Sequence, residues 1–270
     1  MKPLIIFPLL FLLTSADKRC RGIYFDDKYY SVNIIKDGVN RLHNLLYNRN
    51  DNRVYFTFDQ ISDRPTRSLA YLNLDTYTAT VIDGIRNATS IAIDQATNKI
   101  FVGSSDGLFK INDKMIPERL PIQDNIINMH YKDVLYFTNA KREAYIFEDG
   151  YATLVQELQG YAVDNLILDN DNNIFFVENK KLFRVKLGTR AVNIHERHIV
   201  DAIATDIHSK AYVCSNMGVF VYNKYKYVLD KVAGINKLKA LTFNNNNEPI
   251  YAVSDLIVKL KYNEVPCFED

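Results

Sequence analysis

Residues 94–111 read DQATNKIFVGSSDGLFKI. A polar turn, DQATNK, delivers the chain into the apolar triplet Ile100-Phe101-Val102; a second tight turn follows, and GLFKI leaves it. Ahead of the first turn lies TSIAID, residues 89–94. Short runs of β-branched and aromatic residues, punctuated by Asn, Asp and Gly, read as antiparallel strands joined by tight turns. The triplet recurs as Val54-Tyr55-Phe56, Leu135-Tyr136-Phe137, Ile174-Phe175-Phe176, Ala211-Tyr212-Val213 and Ile250-Tyr251-Ala252. The six central aromatics lie 46, 35, 39, 37 and 39 residues apart. A short apolar run precedes each turn (HNLLYN, INMHY, DNLILD, DAIATD, KALTFN), and another follows each triplet (SLAYLNL, EAYIFED, KLFRVKL, GVFVYN, LIVKLKY). A more polar fourth run usually completes the unit, as in TATVID or KYVLDKV. Four antiparallel strands in a unit of about forty residues, repeated six times, predict an all-β, six-bladed β-propeller with four-stranded blades.

The sixth unit lacks its fourth strand. The run Tyr30-Ser31-Val32-Asn33-Ile34-Ile35-Lys36-Asp37-Gly38 near the N-terminus resembles the fourth-strand runs TATVIDG and YVLDKVAG. The N-terminal strand is therefore expected to complete the last blade, which removes two free sheet edges.

Residues 1–16 carry Lys2, an apolar stretch from Leu4 to Leu13 and the small residues Thr14-Ser15-Ala16, the pattern of a secretory signal peptide. The expected mature chain is one propeller domain, 17–270, exported and extracellular. Export permits disulfides. Cys20 and Cys267 stand at the two ends of that chain and are expected to pair; Cys214, inside an apolar strand, reads as a buried small hydrophobe. The odd count leaves a pairing of Cys214 open. Asn87-Ala88-Thr89 is the one glycosylation sequon, so Asn87 is the expected glycan site.

Among 270 residues, 33 Lys and Arg stand against 32 Asp and Glu, which leaves no basic excess for a nucleic-acid partner. No apolar run after the leader reaches membrane length, so neither class of partner is expected, and the chain reads as a monomer. Trp is absent, Tyr and Phe number 18 and 15, and Gly only 10, so Asn and Asp must supply the turn conformations.

Catalytic motifs are thin. Gly103-Ser104-Ser105-Asp106-Gly107 matches G-x-S-x-G, but a nucleophile elbow needs a strand-to-helix turn and this is a hairpin. Asp169-Asn170-Asp171-Asn172-Asn173 opens like a calcium loop, then has Ile174 where Gly is required. No HExxH, CxxC pair or glycine-rich phosphate loop is present, and His43, His130, His195, His198 and His208 pair with no nucleophile at a recognisable spacing. No catalytic residue, metal ligand or cofactor is expected.

The first strand of each blade lines a propeller's axis, and here those strands start on polar residues: His43-Asn44, Thr89-Ser90, Asn125, Asp164-Asn165, Asp201 and Lys237. The expected ligand contacts are Asn44, Thr89, Asn125, His130, Asn165, Asp201 and Lys237, with Tyr47 and Tyr131 as stacking rings. A second reading takes Asp164, Asn165 and Asp201 as the start of a calcium site in a lactonase- or esterase-like propeller hydrolase, although a ring without Glu is poor in the carboxylates that calcium favours.

Cys20-Arg21-Gly22-Ile23, then IIKDGVN, NRVYFTF, AYLNL and AIDQATNKIFVGSSDGLFKI, resemble the insect ommochrome-binding proteins of haemolymph. YKDVLYFTNAKREAYIFEDG and LILDNDNNIFFVENKKLF continue the likeness over most of the chain. The resemblance implies a secreted, non-enzymatic carrier of a phenoxazinone pigment derived from tryptophan, or of a related small aromatic metabolite. It supplies no residue-level binding motif. It also implies a second cysteine soon after the first; Tyr29-Tyr30 stands in that region, which turns Cys20 toward Cys267.

Overall fold

The computed structural model describes residues 22–63, 65–195 and 198–264. The leader, Cys20 and Cys267, and with them the expected disulfide, lie outside the described residues. Six antiparallel sheets follow one another around a ring. Their inner strands are Asn44–Asn48, Ala88–Asp94, Ile126–Lys132, Asn165–Leu168, Val200–Thr205 and Leu238–Phe243, and we number the blades 1 to 6 in that order. Blades 1 to 5 have four strands each.

The ring closes as the sequence implies. Lys28–Lys36 pairs antiparallel with Leu256–Tyr262, from Tyr30↔Tyr262 to Lys36↔Ile257, with one bulge at Ile35. One strand was not foreseen. Gly22–Phe25 folds back on Lys28–Lys36 through a tight turn at Asp26 and Asp27, so blade 6 has five strands. Phe25 is drawn in because it packs against Tyr212 and Phe243 at the junction with blade 5.

Each blade is covered on both sides, so its central strands are buried almost end to end, as in Lys99–Ser104 and Ala211–Ser215. The two-residue period then sorts side chains between junctions. In blade 1, Tyr55 enters the core shared with blade 2, while Val54 and Phe56 enter the core shared with blade 6. Phe101, Tyr136, Phe175 and Tyr212 likewise face forward. Blade 6 corrects the sequence alignment by one residue. Ile250 faces forward to blade 1, and Tyr251 faces back to blade 5. The repeat there is Pro249-Ile250-Tyr251, and its aromatic is a flanking residue.

The turns joining first and second strands account for the scarcity of glycine. One residue at or next to the end of the turn is left-handed in all six blades: Asn52, Asn98, Asp133, Asn172, Ser209 and Asn247, with φ from 52° to 60°. Short polar side chains tolerate that conformation. Glycine is retained where a side chain would collide: at Gly107 and Gly218, φ 127° and 130°, a Cβ would lie 2.2 Å from the Ile122 carbonyl oxygen and 2.4 Å from that of Ala233.

The same turns stitch the junctions. Asn48 Nδ2 donates to Asn98 Oδ1 at 2.8 Å, Tyr131 Oη to Asp94 Oδ2 at 3.0 Å, and Lys132 Nζ to the Asp169 carbonyl at 2.7 Å. The Asn170 amide donates to the Ser209 carbonyl at 3.1 Å, Asn247 Nδ2 to Asp206 Oδ2 at 3.1 Å, and Asn245 Nδ2 to the Arg49 carbonyl at 3.2 Å. Every junction is bridged on this face.

Closure places the stability of the ring in blade 6. Leu260 is fully buried and Ile34, on the paired strand, is 61% exposed. Leu260→Ala is expected to cost about 2–5 kcal/mol in urea unfolding, and Ile34→Ala less than about 0.5 kcal/mol.

Candidate functional site

The inner strand of each blade has one unpaired edge, and six such edges enclose an axial channel. Part of the exposed backbone is met by side chains: the Tyr47 amide donates to Thr242 Oγ1 at 3.0 Å and the Leu166 amide to Asn128 Oδ1 at 3.5 Å. The channel encloses about 160 Å³, and Asn44, His130 and Asn165 line it together with Tyr47 and Tyr131. Ligand pockets commonly span about 300–1,000 Å³. The channel suits water or one small polar group, not a whole fused ring system.

His130 is its most distinctive group. Nε2 is buried without a partner. Burial, reinforced by Lys132, lowers its pKa to about 4 against the opposing bond to the Leu168 backbone. The imidazole is therefore neutral across physiological pH. The Tyr131 hydroxyl is committed to Asp94, and burial with that bond pushes its pKa up to about 12.

The other expected contacts divide. The Thr89 hydroxyl donates to the Ile126 carbonyl across the junction of blades 2 and 3. Asn125 is exposed, and its carbonyl accepts from the Ala140 amide at 2.8 Å. Neither lines the channel: Thr89 sits at a bulge in the pairing of its strand, and Asn125 precedes a strand that bulges after its first pair. Asp164 is held by Arg142 at 2.6 Å and accepts from the Asn179 amide at 2.9 Å. Asp201 and Lys237 do lie together, in a depression of about 460 Å³ outside the channel, where the inner strands of blades 6 and 1 begin. Thus Asp164, Asn165 and Asp201 do not converge on one cavity. Among the described residues, no three His, Cys, Asp or Glu side chains gather as a metal site.

That depression also holds Arg41, His43 and Lys239, on an apolar floor of Leu42 and Leu238. His43 Nε2 lies 3.0 Å from Asp59 Oδ1, which also receives Arg67 Nε at 3.3 Å. Burial first, then Arg67, lowers the His43 pKa, so the ring is an uncharged partner of Asp59 at neutral pH. Among the described residues, Arg41, Lys237 and Lys239 make no ion pair. Asp201 is the one carboxylate among the described residues that line the depression.

Two further hollows flank the ring. One, about 440 Å³, runs between residues 36–40 and blade 1 and is walled by Phe56, Phe58, Ile61 and Val81. The other, about 510 Å³, contains Tyr222 and Tyr225, but Lys210 and Lys224 there are paired with Asp26 and Asp171 at 3.1 and 3.0 Å.

Cys214 is buried, with its thiol pushed up to about 12 by burial and then by Asp201, so it is an unreactive packing residue. The Asn87 side chain is half-buried and reaches Ser105 Oγ and the Arg67 amide at 3.5 Å. Ser105 and Asp106 form the hairpin turn expected of them, and Asp169 caps its own turn through the Asp171 and Asn173 amides. Arg41, Lys239 and the Phe58–Ile61 wall escaped the sequence reading. The Phe58–Ile61 wall had one signal, the first repeat, 46 residues against 35–39 elsewhere; Arg41 and Lys239 had none.

No protein-family model matches the chain. The chain is similar to the ommochrome-binding protein of Manduca sexta, 22% identical over 246 residues, spanning 88% of this chain and 90% of that protein. The family resemblance read from the residues is thereby borne out. Among solved structures, the gluconolactonase XC5397 of Xanthomonas campestris superposes with a TM-score of 0.68 at 11% identity, covering 92% and 96% of the two chains. The WD40 β-propeller domain of Doa1 superposes with 0.59 at 13%, covering 90% and 97%. At such identity these two bear on the fold alone.

The neutral state of His130 has a consequence for stability. An unfolded chain takes up the His130 proton near pH 6.5, the folded one only near pH 4, so stability is complete above pH 6.5 and falls between pH 6.5 and 4. His130→Gln is expected to lose less stability than the parent between pH 7 and pH 4.5 in parallel urea titrations. In the parent, the His130 ring resonances should stay at their neutral positions at pH 5.5.

Proposed function

We propose that this protein is a secreted carrier that binds an ommochrome-type pigment, or a related planar aromatic metabolite, without transforming it. The similarity to the Manduca sexta ommochrome-binding protein carries this reading, because it runs the length of both chains. The site chemistry agrees with it. A planar, partly charged tricycle needs an apolar wall, amides for its ring oxygens and cations for its carboxylate. Asn44, Asn165 and the free His130 Nε2 are placed to meet a polar group entering the channel, and Lys237 and Asp201 one resting at its rim. Among the described residues, no helix is long and apolar enough to cross a membrane.

The hydrolase reading draws on the gluconolactonase likeness, which speaks for a shared scaffold. Scaffolds of this kind host unrelated functions, so the site must decide. Its three polar residues are dispersed: Asn165 faces the channel, Asp201 the outer depression, and Asp164 an arginine.

Titration with xanthommatin is expected to shift the visible spectrum of the pigment with a dissociation constant of about 1 µM or below, about −8 kcal/mol. An unchanged spectrum removes the carrier reading. Lactone hydrolysis that appears with calcium and vanishes with chelator would establish the hydrolase instead.

A further inference from the structure

Blade 1 departs from the repeat at one place. The hairpin joining its second and third strands spans residues 60–66, whereas the equivalent hairpins of the other blades have two to four residues. The loop is closed at its base by the Gln60 amide on the Thr66 carbonyl, at 3.0 Å. It raises Ile61 to 89% exposure. Below it lie half-buried Phe58, tilted on Phe56 with centroids 5.8 Å apart, and Val81, 42% exposed. Insertions on a rigid scaffold are where binding surfaces concentrate, and a contiguous exposed apolar wall marks a contact.

This groove ends at Asn40 and Asp59, which are tied by two bonds: the Asp59 amide to the Asn40 carbonyl at 3.1 Å, and Asn40 Nδ2 to the Asp59 carbonyl at 3.0 Å. The cationic depression begins at the next residue, Arg41, and the His43–Asp59 bond links the two, His43 lining the depression and Asp59 the groove. The two hollows, about 440 and 460 Å³, therefore adjoin along residues 39–43 on one face of the ring. One half offers aromatic and aliphatic surface. The other offers three cations without an ion-pair partner among the described residues. The tyrosine-bearing groove beside blade 5 lacks this character, since its carboxylates outnumber its cations.

We infer that the junction of blades 6 and 1 is a two-part site for a planar aromatic carboxylate, its ring seated on Phe58, Ile61 and Val81 and its carboxylate on Arg41, Lys237 and Lys239. The inference rests on the carrier reading for its physiological ligand, but not for its chemistry. Charge complementarity selects the occupant: an uncharged aromatic would leave the cations unused, and a simple anion would leave the apolar wall bare. Asp201, opposite the cations, accommodates an ammonium group on the same ligand.

The probes are 2-naphthoate and its uncharged counterpart 2-naphthylmethanol, followed by naphthalene fluorescence. Naphthoate should bind more tightly than the alcohol and weaken as salt is raised. Arg41→Gln and Lys237→Gln should each lower its affinity about threefold to tenfold, about 0.7–1.4 kcal/mol, and leave the alcohol unaffected. Ile61→Asp should weaken both probes. Lys224→Gln, in the other groove, should change neither. All four positions are exposed, and melting curves confirm that each variant is folded. Equal affinities for the two probes, or naphthoate binding indifferent to Arg41, Lys237 and Ile61, overturn the site. Xanthommatin binding unaffected by those three substitutions overturns the site and leaves the carrier standing. Naphthoate binding that follows the pattern without any pigment binding overturns the carrier and leaves the site standing.

Discussion

A blade that buries both faces of its sheet cannot exist alone, so every sheet here depends on the pairing of Lys28–Lys36 with Leu256–Tyr262. Without it, the apolar faces shared by blades 5, 6 and 1 would meet water, and two sheet edges would stand open. The pairing brings the N-terminal segment into the last blade, and the chain then turns through residues 37–43 into the first. Chain closure thus delivers Arg41 and His43 to the rim beside Lys237 and Lys239. The cationic cluster is a by-product of where the ring is joined.

Closure fixes the faces as well as the ends. The side-chain period of a strand is two, so a slip of one residue exchanges what faces one neighbour for what faces the other. Blade 6 has moved its aromatic by such a step, and the junction with blade 1 receives Ile250 instead of a ring. The turn face adds to this packing. Its hydrogen bonds join side chains or amides of one blade to the turn of a neighbouring blade, and buried polar groups with partners in place specify one arrangement of the blades. With that face committed to holding the ring, the opposite face is left freer to carry ligands.

Much of this was legible. The six triplets, the polar turns and the missing fourth strand sufficed for the propeller and its closure, because each is a local signal repeated. The extra strand Gly22–Phe25 was hidden, since it is short and held mainly by Phe25 packing across a junction. The site was legible only in part. Asn44 and Asn165 fall on the channel because their strands pair without a shift, and His130 lies beyond the bulge of its strand, whereas Thr89 sits at such a bulge and Asn125 just ahead of one. Asp201 and Lys237 read as channel contacts; the structure sets them instead beside Lys239, two residues on, and Arg41, which arrives from near the other end of the chain. Such convergence depends on tertiary closure, and no window of sequence contains it.

The volume of the channel decides where a ligand of this class can rest. Six inner strands, packed closely enough for side chains of one to cap the backbone of the next, leave about 160 Å³. Widening the channel would break those contacts and pull on the turn bonds at every junction, so the core of the ring cannot be adapted to a larger molecule by local change. A hairpin on an outer part of one blade can be. Residues 60–66 lengthen without disturbing the ring, since their base is closed by a single backbone bond and the strands beneath keep their register from Arg53↔Asn73 to Asp59↔Arg67. The fold therefore separates rigidity, at the axis and turn face, from the surface free to vary, at the seam where the chain closes on itself and where we propose that recognition occurs.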